Sequence, residues 1–466
     1  MCKKLYQLLL LAAILSVLAA CGGQATPQVL EKVVTQVVEV QKEVTKVVEK
    51  QVTTVVEKEK EVVVTATPAP AGGGETIRIG GLGPLSAPGT VVGGIAMQFA
   101  MNLAVQDINE AGGVLGKPLE LIFADTEGLP ERGAAVARRL IQENGVVALA
   151  GEYHSAVGLA IAEVARAKHV PVLFSETWSD KITETGYPEV FRIAPASTMV
   201  SRATAEWLAA VGAKNVVIIA ENTDYGIGAV EADRKFYEEA GLTVQDAIFT
   251  ELGTQDYQPI LTRIQAMTPP PDVISVQVTG ESSYNLERQI TDLGLAPNEN
   301  TIGIANQVAI QPEFWESVPT GEYWVFSLVG LPPALYNDTT RHVAEEYQAA
   351  FNSEPASYVL ESYDTMWILA DAIKRAGTTD PDALIKAIEE TDMTLAQGHY
   401  YFKYTSANPV PGDGSVPKYM WHQWPDPAVV LLQYYERGQD WKDAAVIWPP
   451  VYQTHGTSHI PYGEKP

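Results

Sequence analysis

Residues 77–125 read IRIGGLGPLSAPGTVVGGIAMQFAMNLAVQDINEAGGVLGKPLELIFAD, and the fold turns on this stretch. Ile77 and Ile79 alternate with polar Thr76 and Arg78, the period-two pattern of a strand. A loop rich in glycine and proline, Gly80 to Gly94, follows it. Ile95, Phe99, Leu103 and Ile108 then recur at helical spacing, and Gly112-Gly113 closes the helix as a C-cap does. Leu119, Leu121 and Phe123 alternate into a second strand ending at Asp125. A strand–helix–strand crossover predicts a parallel sheet, with ligands beyond the carboxyl ends of its strands. Ser86, in the first such loop, is therefore a candidate ligand contact.

The alternation continues outward. Short apolar runs at 146–150, 170–174, 216–220, 244–249, 273–278 and 301–305 read as strands, separated by amphipathic helical stretches. Phe191–Pro195 reads as a strand crossing between two such series. The pattern predicts an α/β protein with two doubly wound parallel-sheet lobes. The first takes 75–195 and 325–398, and the second 196–324 and 399–450, with 451–466 as a tail.

Composition narrows the function. A formal net charge of −25 argues against general affinity for nucleic acid or anionic membranes. Both cysteines lie within the first 21 residues, so the body has neither a disulfide scaffold nor a cysteine nucleophile or metal site. Lys3-Lys4 and the apolar run Leu8–Val17 form a secretory leader over residues 1–20. Leu18-Ala19-Ala20-Cys21 resembles a bacterial lipobox, which implies lipidation of Cys21 and anchoring outside the cytoplasm. Residues 21–74 read as a tether: a Val/Glu/Lys-rich stalk, then the Pro/Gly linker Thr67–Gly74. The stalk's valines follow a three-four spacing compatible with a coiled coil, although Gln51 and Thr54 interrupt the seam.

The ordered motifs carry a family resemblance. Gly83-Pro84-Leu85-Ser86, the run Leu103 to Gly116, Asp125, Gly151-x-x-x-Ser155, Val170-Pro171, Phe191-Arg192, Asp224-Tyr225-Gly226, Gly294-Leu295 and Tyr363-Asp364 occur in order. Together, over residue 77 to about 448, the chain resembles the leucine/isoleucine/valine-type solute-binding proteins. The resemblance implies a type I periplasmic-binding-protein fold, two lobes joined by three crossover strands and a monomeric body. It also implies capture of a small solute for an ABC permease and ATPase complex. A sensor of the same fold, feeding a signalling partner, is the alternative.

By the same resemblance Ser155 falls on the carboxylate-binding serine, and Tyr225 on the aromatic that closes over the ligand. Ser175, Thr177, Trp178 and Ser179 fall in a loop that grips the ligand backbone, and Thr279 and Asn306 in further cleft loops. Glu176 reads as a solvated loop acid, and Ser155 also suits the N-cap of the following helix. Two positions depart from the family. The glutamate that pairs the ligand ammonium falls on Ala305, and the aromatic of the first loop on Val92. Glu152, Glu176 or Asp224 then has to supply the carboxylate, or the solute is not a simple α-amino acid.

Catalysis finds no support. Gly-x-Ser-x-Gly is absent, and adjacent His154 and Ser155 make a poor dyad. Gly80-Gly81-x-Gly83 does not complete a dinucleotide fingerprint, because Ser86 stands where its last glycine belongs. No cofactor or metal is expected; His455 and His459 lie in a Gly/Pro-flanked tail.

Overall fold

The structure, a computed structural model, describes residues 75–466 apart from residue 312. The expected leader, Cys21 and the stalk lie outside the described residues.

The chain opens with β1 (Ile77–Gly83), α1 (Val91–Glu110), β2 (Leu119–Asp125), α2 (Pro130–Gln142), β3 (Ala148–Gly151) and α3 (Ser155–Lys168). β4 (Val172–Phe174), a short α4 (Lys181–Glu184) and β5 (Val190–Arg192) complete a five-stranded sheet of order β2-β1-β3-β4-β5. All of its pairs are parallel. The second series is α5 (Ser197–Val211), β6 (Asn215–Glu221), α6 (Asp224–Glu239), β7 (Thr243–Thr250), α7 (Gln258–Gln265) and β8 (Val273–Gln277). It continues with α8 (Gly280–Asp292), β9 (Ile302–Ala305), α9 (Glu313–Ser317) and β10 (Val325–Val329). Helices α10 (Asp338–Phe351), α11 (Ser357–Ala376) and α12 (Pro381–Glu389) lead to a hairpin, β11 (Asp392–Leu395) and β12 (Gly398–Tyr401). β13 (Val429–Gln433) and β14 (Ala445–Trp448) then add antiparallel to a seven-stranded sheet of order β14-β13-β10-β9-β8-β6-β7.

The inner parallel strands are largely apolar because helices cover both faces, while the edge strands β2 and β7 are mixed. Val216–Ala220 of β6 is wholly buried, for instance. α1 is long and apolar enough to cross a bilayer, yet its apolar residues are spent on the protein core. It packs along α11, and its Asp107 accepts hydrogen bonds from Tyr363 of α11 (2.8 Å) and His342 of α10 (2.9 Å).

The expected lobe boundaries shift in two places. β10 was assigned to the first lobe, but Val325–Val329 is a fully buried run that pairs with β9 and β13 in the second sheet. Residues 399–424 were assigned to the second lobe. They stay with the first, where the backbone of Arg192 receives the N–H of Trp424 (2.9 Å) and donates to His422 (3.0 Å). The chain thus passes between lobes three times: after β5, after β10, and just before β13. The tail is docked on the second lobe, with Ile460 N–H donating to Gln433 (2.8 Å) and Trp207 to the Ser458 carbonyl (2.7 Å).

Candidate functional site

The helices that follow β3, β6 and β8 begin within a few residues of the strand ends. Their N-termini and the strand-end loops of both sheets therefore converge on one pocket of about 340 Å³, counting its part open to solvent. The first lobe contributes Tyr153, His154 and Ser155 after β3, with Glu176 and Trp178 after β4. The second contributes Glu221 at the end of β6, Tyr225 in the first turn of α6, Thr279 after β8 and Asn306 after β9.

Ser155 is the first residue of α3, and the N-cap position belongs to His154, whose side chain makes no cap bond. The Ser155 hydroxyl oxygen accepts the Ser179 N–H (3.1 Å), which leaves its own proton to donate. His154 is engaged elsewhere: its Nε2 accepts the Thr90 N–H (3.0 Å), so the ring proton sits on Nδ1. Burial lowers the His154 pKa to about 4, and the ring is neutral near pH 7. With Nε2 occupied, His154 cannot serve as a base for Ser155.

Glu221 ties the second lobe's loops together. One carboxylate oxygen accepts from the Thr279 N–H (2.8 Å) and hydroxyl (2.7 Å), and the other from the Thr223 hydroxyl (2.7 Å). Burial raises its pKa despite these bonds. The Tyr225 hydroxyl donates to Gln277 (2.9 Å) and accepts from Asn306 (3.1 Å), which fixes its ring in the wall. Across the pocket, Glu176 is only 5% exposed, and burial pushes its pKa up to about 8. Gln307 of the second lobe reaches it at 3.5 Å, and Lys181 of the first pairs with Asp224 of the second at 3.3 Å.

Of the nine ligand contacts expected from sequence, Ser155, Trp178, Tyr225, Thr279 and Asn306 come together in this pocket. Ser86 does not: its hydroxyl donates to Asp125 (2.6 Å), which also holds the Leu85 and Glu127 N–H groups and so shapes the first loop. Ser175 pairs with the Ser362 hydroxyl (3.1 Å) on α11. Thr177 and Ser179 lie behind the wall, where the Arg192 guanidinium donates to both their carbonyls. The reading of Glu176 as a solvated acid is overturned by its burial. Of the alternative carboxylates, Glu152 turns back to accept the His154 N–H (2.9 Å), and Asp224 is half-exposed on its lysine. Glu221, Tyr153 and His154 also line the pocket without being among the expected contacts, although Glu221 is the last residue of β6 and the other two lie in the loop after β3, where ligands bind in such sheets. Among the described residues no cluster of three or more His, Cys, Asp or Glu side chains could hold a metal ion.

Residues 76–410 match the family described as periplasmic binding protein. An amino acid binding protein of Pseudomonas aeruginosa is 25% identical over 328 residues, 69% of this chain and 83% of that protein. A leucine binding protein from Thermotoga maritima superposes with a TM-score of 0.67 at 25% identity, covering 78% of this chain and 96% of that one. A solute binding protein of an ABC transporter from R. palustris, in complex with benzoate, gives 0.66 at 20% identity, covering 78% and 94%.

Proposed function

We propose, from the premise that the chain belongs to the periplasmic binding protein family, that it captures one small polar organic solute between its lobes and hands it to an ABC importer. The observation that carries this reading is the pocket itself, whose polar and aromatic walls come from both lobes. A solute held there touches both at once, so binding favours the closed arrangement by its differential affinity. The free proton of the Ser155 hydroxyl and the backbone N–H groups at the start of α3 suit a carboxylate. Relatives named for amino acids and for benzoate share that group.

Thermal-shift screening against amino acids, amides and organic acids tests the reading. A solute at 100 times its dissociation constant adds about 2.7 kcal/mol of stability. If no member of the panel moves the melting temperature, solute capture is wrong. For delivery, the liganded protein is expected to stimulate ATP hydrolysis by a reconstituted permease complex above the level of the free protein. Lipid anchoring at Cys21 is tested separately: Cys21→Ser is expected to move the protein from the membrane to the soluble fraction.

A further inference from the structure

The pocket's lining is acidic and has no basic partner. Neither lysine nor arginine lines it, while two carboxyl groups do, Glu176 from the first lobe and Glu221 from the second, at 5% and 1% exposure. Neither has a salt bridge among the described residues. The nearby buried guanidinium, Arg192, is occupied by the Thr177 and Ser179 carbonyls and by Gln423. Glu221 has three donors to hold its charge, but Glu176 is poorly served. One of its oxygens has only the long contact from Gln307, and its remaining partners are the Trp178 indole and the Glu361 carboxyl, neither of them a cation. Behind Glu176, the Glu361 carboxyl on α11 is kept protonated by burial and by the neighbouring acid, and it hydrogen-bonds to Glu176.

An apolar solute tail laid against Glu176 would leave its Oε2 buried without a well-formed hydrogen bond, which is costly. A nitrogen donor would serve it. Tyr153, Trp178 and Tyr225 add ring faces that attract an alkylammonium group. We propose that the pocket selects a solute with two nitrogen donor groups, one set against Glu221 and the other against Glu176, as a basic or amide-bearing amino acid presents. This rests on the solute-capture reading and names its substrate class. Because the two carboxyl groups belong to opposite lobes, such a solute bridges them.

Glu176 also supplies a proton signature. The titratable groups around it are Glu361 and Tyr358 of α11, Tyr153 and Tyr225. Burial raises all four: it keeps Glu361 neutral, and the three tyrosines are neutral near pH 7 in any case. Burial likewise raises Glu176, so the hydrogen-bonded Glu176–Glu361 pair holds protons there, and an incoming ammonium drives one off.

Isothermal titration of lysine, glutamine, leucine and benzoate into the protein at pH 7 tests the inference, run in phosphate and in Tris to count protons. Lysine is expected to bind about tenfold or more tighter than leucine, the scale of one added hydrogen bond to a charged group, and glutamine about threefold or more tighter, the scale of a neutral one. Lysine is expected to release a proton, and leucine none. Glu176→Gln should erase the preference of lysine over leucine, read as the ratio of their two affinities in the same variant, and Glu221→Gln should weaken every amino acid about tenfold or more. Leucine or benzoate binding as tightly as lysine and glutamine overturns the inference and leaves solute capture standing. Binding by none of the four, together with a flat wider screen, overturns both. The wild-type ranking decides the matter even if a variant fails to fold.

Discussion

Ser155 shows how one hydroxyl can serve two partners. Its oxygen takes the Ser179 N–H and so joins the loops after β3 and β4, while its proton remains for a solute. Ser155→Ala is therefore expected to weaken carboxylate solutes by about tenfold or more, since hydrogen bonds to charged groups contribute roughly 1.5–3 kcal/mol. The matching neutral amide should lose less, and equal losses in calorimetry would remove Ser155 from the carboxylate site. The other expected hydroxyls show where sequence reading stops. Ser86, Ser175, Thr177 and Ser179 stand in strand-end loops, as a parallel sheet requires of site residues, but a loop position does not say which way a side chain turns. Asp125 claims Ser86, and Ser362 claims Ser175, from 39 and 187 residues away. Glu221 was the converse case. It sits at the last position of an apolar strand, where a carboxylate reads as the start of a solvated loop until Thr279 and Thr223 are seen to hold it.

Among the elements, two close contacts carry the site. Gly226 opens α6 so tightly against β6 that a Cβ there would lie 2.0 Å from the Glu221 carbonyl oxygen and 3.0 Å from its Cγ. Gly226→Ala is expected to cost about 1–3 kcal/mol of stability, as overpacking does. Because the atom that must yield belongs to Glu221, solute affinity should fall with it; calorimetry beside urea denaturation checks both. The second contact is Asp364 of α11, which accepts the Ala396 and Gln397 N–H groups and the Tyr400 hydroxyl, and so fastens the β11–β12 hairpin. Asp364→Ala strands three buried donors and is expected to cost about 3 kcal/mol or more, read as a lower urea midpoint at unchanged slope. The Tyr363-Asp364 pair was legible as a family-like motif, but the hairpin it holds was not, because β11 and β12 are four residues each and half exposed. β10 belongs to the other lobe from the one its place in the sequence suggests. Its apolar run shows that it is buried but not which sheet buries it, and that follows only from its pairing with β9 and β13.

For the molecule as a whole, buried acids set the dependence of stability on pH. Burial raises Asp233 to about 6, Glu152 and Asp364 to about 7, and Glu176 and Glu287 to about 8. The folded state then binds these protons more tightly than the unfolded chain. Their contribution is complete below the ordinary carboxylate range and is lost as pH rises through about 6 to 8. His154, His422 and His459 are lowered by burial and act oppositely, losing stability as pH falls below the ordinary histidine value. The melting temperature is therefore expected to climb as pH is lowered from about 8.5 to about 6.5, where the acids weigh and His169, raised by its bonds to Glu189 and Asp382, adds with the same sign. A flat or falling profile in differential scanning calorimetry would contradict this account.

The two ends of the described body are fastened to different lobes. Residue 77 enters β1, the second strand of the first sheet, whereas the tail is pinned to the second lobe by Ile460, Ser458 and the Glu464 carbonyl, which accepts from Tyr323. A donor dye placed near residue 75 and an acceptor near residue 466 would each ride on one lobe. Any solute that changes the angle between the lobes would change their energy transfer, making the chain a ratiometric optical sensor for its own ligand.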